Sequence, residues 1–91
     1  MKQYYTNFII RRSDAIALLV RLEIGDISYP HSKKCRMCLI EYLTNALMKE
    51  KNVQEDLYVE ICPDEINLQG DDLKTAIQII KNYTEAIGIN Y

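Results

Sequence analysis

The chain contains no tryptophan, one phenylalanine, one histidine, two prolines and three glycines among its 91 residues. Three glycines give little scope for a loop that brings backbone amides close to a phosphate. Neither a Gly-x-Ser-x-Gly elbow nor a His-Glu-x-x-His helix occurs. These gaps count against nucleotide-binding loops, serine-hydrolase elbows and the common zinc-hydrolase helix. The longest purely apolar run, Ala15 to Val20, is far below the roughly 20 residues that cross a bilayer. The opening MKQYYTNF has no apolar centre of the kind a signal peptide needs. The expectation is a cytoplasmic chain with no membrane association. Its three cysteines cannot all pair within one chain and are read as thiols. Asn82-Tyr83-Thr84 matches a glycosylation acceptor, which carries no weight without export.

What is present is ordinary globular composition, 48% hydrophobic and 26% charged, in a length that makes one domain over residues 1–91. Seven tyrosines stand against the single phenylalanine. Tyrosine is enriched at interfaces because an apolar ring carries a polar tip, although half-buried sheet positions use it for the same reason. The net charge of −2 hides a division: residues 1–51 carry +4 and residues 52–91 carry −6. A bipolar chain suits docking against its own copies or against a charged partner.

Residues 32–52 read as the organising helix. Ser32 is placed to cap it, and Cys35, Cys38, Leu39, Tyr42, Leu43, Ala46 and Leu47 recur at steps of three and four on one face. Lys49 and Lys51 suit the negative end of its dipole. Residues 4–12 are rich in aromatic and β-branched side chains and read as a strand. In residues 15–24, Ile16, Leu18, Val20, Leu22 and Ile24 alternate strictly, which favours a strand. A helix is the other reading, with Ser13 as cap and Gly25 as terminator. Gly25-Asp26 then turns into a short return strand over 27–29. Leu57, Val59 and Ile61 alternate as the buried face of another strand. Residues 62–65 form a turn around Pro63, and 66–68 a short partner strand. Asp71 and Asp72 open a second helix with Leu73, Ala76, Ile77, Ile80, Tyr83 and Ile87 as its buried stripe and Gly88 after its end. The implied fold class is α+β, with two amphipathic helices on one face of a small, mostly antiparallel sheet in the order β-β-(β)-α-β-β-α. If 13–24 is helical, the alternative is a mainly α fold with one hairpin.

Three clusters are chemical candidates. His31, Cys35, Cys38 and Cys62 supply the four N/S donors that Zn²⁺ takes, and Cys35-x-x-Cys38 beside Lys33, Lys34 and Arg36 could serve as a redox pair. The competing reading, favoured here, packs Cys35 and Cys38 into the core in step with the leucines. Arg11, Arg12, Lys33, Lys34 and Arg36 form a candidate phosphate-binding patch, against which stands a sequence pI near 5.3. Asp64, Glu65, Asp71 and Asp72 form an acidic surface able to meet a basic partner protein. No motif implies a cofactor. The reading is a small non-enzymatic interaction module, a regulator or inhibitor that binds a protein and self-associates as a homodimer, with residues 16–24 as the seam. A nucleic-acid-binding regulator is the alternative, and a zinc or thiol-redox protein the next.

Overall fold

The computed structural model describes residues 5–27, 33–49 and 57–88. Within them the chain is a small α+β fold. β1 (Phe8–Arg11) runs directly into α1 (Arg12–Ile24), followed by α2 (Lys33–Lys49), β2 (Tyr58–Ile61), a short 3₁₀ turn (Pro63–Glu65), α3 (Gly70–Tyr83) and β3 (Ile87–Gly88). The sheet is antiparallel with order β2-β1-β3, so the first strand is central.

Strand register explains which face is buried. Phe8 pairs with Ile61 and Ile10 with Val59, and all four side chains point inward. Ile9, Arg11, Tyr58 and Glu60 alternate to the other face, which is the period of two that a strand imposes. The inward face is covered by helices. Leu18 and Leu22 of α1, Leu39 and Leu43 of α2, and Ala76 and Ile80 of α3 join it in one core. Of the stripes read from the sequence, Cys35, Leu39, Leu43 and Leu47 of α2 and Leu73, Ala76, Ile77 and Ile80 of α3 are buried, with Ile79 added. Cys38, Tyr42 and Ala46 are half-buried, and Tyr83 and Ile87, at and beyond the end of α3, are exposed.

The largest departure lies in residues 15–24, favoured above as a strand. They form helix α1. Ala15, Leu18 and Leu22 face the core, whereas Ile16, Val20 and Ile24 form a second series on the outside. Leu18-Leu22 and Ile16-Val20-Ile24 each step by four. Offset by two, they interleave into a perfect alternation that mimics a strand. The helix ends as its terminator requires: Gly25 takes the left-handed conformation at φ +77°, and Asp26 N–H donates to the Arg21 carbonyl at 2.9 Å.

Smaller corrections follow from local geometry. α3 stops at Tyr83, so Ile87 and Gly88 pair with β1 rather than extending the helix. Residues 66–68 are bends and extended chain outside the sheet, although Ile66 is buried. Leu57, expected on the buried side of its strand, lies just before β2 and is 71% exposed. The expected cap Ser32 and most of the return strand at 27–29 lie outside the described residues; Ile27 itself is a buried bend.

Candidate functional site

α1 and α2 are consecutive helices packed side by side, and two arginines tie their ends. Arg12, at the start of α1, donates from Nη2 to the Leu47 carbonyl near the end of α2 at 3.1 Å. Arg36, near the start of α2, donates from Nη1 to the Leu22 carbonyl near the end of α1 at 3.0 Å. Each guanidinium therefore satisfies a last-turn carbonyl of the opposite helix and sits at its negative dipole end.

This arrangement divides the basic residues taken together above. Arg36 lies beside the end of α1 and Arg12 beside the end of α2, about 16 Å apart along α2 at 1.5 Å per residue. Arg11 is paired with Glu85 at 3.2 Å across an exposed surface. Lys33 and Lys34 are exposed in the first turn of α2. Two of the five cations are committed to carbonyls and one to a carboxylate.

The cysteines do not converge either. Cys35 is buried in the first turn of α2, and Cys38 and Cys62 are half-buried. His31 lies outside the described residues, and among those described no three histidine, cysteine, aspartate or glutamate side chains are grouped to hold a metal. Cys62 has a different connection: its backbone N–H donates to the Tyr42 hydroxyl at 2.7 Å, bracing α2 against the end of β2. Beside this contact is a cleft of about 280 Å³ lined by residues that include Tyr42, Asn45, Lys49, Glu60, Cys62 and Glu65. Burial pushes the Tyr42 hydroxyl up to about 12, with the hydrogen bond from the Cys62 N–H acting in the opposite sense. Burial also pushes the Cys62 thiol up, and the charges of Glu65 and Glu60 add to it. At neutral pH both groups stay protonated, which makes them poor nucleophiles and bases.

Of the acidic residues, Asp64 and Glu65 lie on the 3₁₀ turn and Asp71 and Asp72 in the first turn of α3. Asp64, Glu65 and Asp71 are exposed, and Asp72 is half-buried. Carboxylates in a first helical turn face the positive end of the dipole, which accounts for Asp71 and Asp72.

Among the described residues, the outer face of α1 carries a row of exposed apolar side chains that the fold does not cover. Ile16, Val20 and Ile24 are 46%, 49% and 71% exposed and lie one above another at steps of four. Ser13 and Ala17 complete the same face and are exposed. At the Ser13 end lies an open hollow of about 420 Å³, lined by Arg11, Arg12, Ser13, Ile16, Leu57 and Tyr58. Leu57 and Tyr58 were not legible as part of this surface, because their sequence alternation assigned Leu57 to the core. A helix with apolar residues on both its inner and outer faces has more apolar surface than its own fold covers.

No protein-family model matches the chain, and no curated protein or solved structure matches it either. Among the described residues no helix is long and apolar enough to cross a membrane.

Proposed function

We propose that this chain is a small non-enzymatic interaction module, of the regulator or inhibitor kind, that works by docking the outer face of α1 against another protein surface. The observation that carries the reading is the row Ile16, Val20, Ile24, exposed on a helix whose opposite face is already fully used in the core. Covering such a row with protein removes apolar area from water at about 25 cal/mol per Å². A rigid helix presents it with little ordering cost, the geometry that helix-mediated recognition uses.

The test places a photoactivatable cross-linker at position 20 of the full chain and irradiates it in a lysate of its source cells. The reading expects a discrete protein adduct, to itself or to another chain, which disappears when Ile16 and Ile24 are also changed to aspartate. Recovery of only solvent-quenched chain would contradict it.

A further inference from the structure

Resting on the reading of α1 as the docking face, we infer that its occupant is a second copy of this chain, bound through an antiparallel, two-fold pairing of α1 with α1. Three features of the face are self-complementary in that arrangement and in no other simple one.

The first is shape. Ile24, the most exposed of the three outer residues at 71%, projects at one end of the helix, and the hollow beside Ser13 opens at the other. Eleven residues separate Ser13 from Ile24, about 16 Å of helix. A two-fold axis crossing α1 between Ala17 and Val20 carries each Ile24 over the partner's Ser13 and onto the hollow edged by Ile16, Leu57 and Tyr58. A parallel pairing brings the two Ile24 side chains together and leaves both hollows empty.

The second is charge. Asp14 and Arg21 are seven residues apart, about two turns, and so lie on one flank of the outer face. Arg12 and Glu23 are eleven apart, about three turns, and lie on the other flank. Each flank carries one acid and one base at opposite ends. An isologous antiparallel contact sets like flanks together with their ends reversed. Asp14 then meets the partner's Arg21, and Arg21 meets the partner's Asp14. These groups are available for it. Arg21 is 50% exposed; its guanidinium lies 5.6 Å over the Tyr83 ring and pairs with the 57%-exposed Asp26 at 3.3 Å, a surface ion pair that is exchanged at little cost. Asp14 accepts an exposed N–H of Glu85 at 3.3 Å through Oδ2, a contact at the surface. On the second flank Arg12 is already held by the Leu47 carbonyl, so the Asp14–Arg21 flank supplies most of the directional term.

The third is the small size of Ala17 near the middle of the face and of Ser13 at the end that meets the partner's Ile24, which lets two helices approach closely between the larger isoleucines.

The experiment is sedimentation of the full chain as wild type, as Asp14→Arg, as Arg21→Glu, and as an equimolar mixture of the two variants, with circular dichroism to confirm that each is folded. Wild type should sediment at twice the mass of one chain. Each variant alone sets two like-charge contacts across the seam and should dissociate with a Kd weakened roughly tenfold or more. The mixture restores opposite charges at both contacts and should return to the dimer mass as a heterodimer. A wild type that stays monomeric, or variants that dissociate without recovering on mixing, would overturn the antiparallel self-pairing. The wider docking role is decided separately, because a cross-link from position 20 to a different protein would uphold it while the second copy failed.

Discussion

Tyr42 shows how one side chain can link three elements. Its ring lies on the inner side of α2, its hydroxyl accepts the Cys62 N–H at the end of β2, and Glu60 and Glu65 bring negative charge near it. Burial favours the neutral phenol, which raises its ionisation to about 12 from the ordinary 10. A pKa raised in the folded state means that the folded chain binds the proton more tightly than the unfolded chain between pH 10 and 12. Stability from this group is therefore complete below pH 10 and is lost as pH climbs toward 12. Denaturant unfolding across that window should show a decline that is shallower in Tyr42→Phe, and absorbance titration should lose its latest tyrosine step in the same variant. At neutral pH Tyr42→Phe should cost about 1 kcal/mol, because the Cys62 N–H loses its acceptor in a half-buried position. An unchanged high-pH decline in the phenylalanine variant would show that Tyr42 does not cause it. The sequence pointed to Tyr42 as part of the apolar stripe of α2. It could not show the hydroxyl's partner, because a bond spanning twenty residues depends on how α2 and β2 meet.

At the scale of elements, the α1–α2 pair turns on the exchange of guanidinium caps. Positive charge in the first turn of α2 runs against its own dipole, which in sequence terms suggests a ligand-binding role. For Arg36 the structure supplies another cause, since its charge serves the end of α1 through the Leu22 carbonyl. Arg12 does the same for α2 through Leu47. Hydrogen bonds from charged donors contribute about 1.5–3 kcal/mol when well buried, and these are partly buried. Arg36→Ala and Arg12→Ala should each lower unfolding free energy by about 1–2 kcal/mol in denaturant titration, and the double variant should show nearly the sum, since the two sites lie more than 10 Å apart. Losses within about 0.5 kcal/mol of zero would mean that the caps are incidental. The same helix pair shows where sequence reading fails. The stripes of α2 and α3 were legible because each has one apolar face and one polar face. α1 has two apolar faces, and its pattern folds two helical periods into one apparent strand period. In the sequence Ser13 as cap and Gly25 as terminator favoured the helix; Ser13 lies inside α1, with Arg11 at the cap position, and a glycine signal is shared with turns. The three-residue segment 66–68 was equally opaque, because burial of Ile66 and Leu68 does not require a sheet partner.

Across the whole molecule, one sheet face and three helix stripes close a single core, and among the apolar residues left exposed Ile16, Val20 and Ile24 form a row along α1 while Met37, Met48, Tyr83 and Ile87 lie elsewhere. The α+β class was legible because the strand pattern of 57–61 and the helix patterns of 33–49 and 70–83 survive any assignment of α1. The proposed docking face was half legible: residues 16–24 stood out as the candidate seam, read there as a strand, but Leu57 and Tyr58 joined it only when β2 was placed beside the start of α1. The division of charge into a positive first half and a negative second half, evident in the sequence, is partly used up within the fold, since Arg11 of the first half pairs with Glu85 of the second. Hydroxyl-radical labelling of the intact chain over a dilution series tests the outer face of α1 most directly. Ile16, Val20 and Ile24 should be labelled slowly at high concentration and faster, together, as the chain is diluted, while Met37, exposed on α2, keeps a constant rate. Labelling of all three that does not change with concentration, at rates set by their exposure in the single chain, would contradict the pairing of α1 with a second copy.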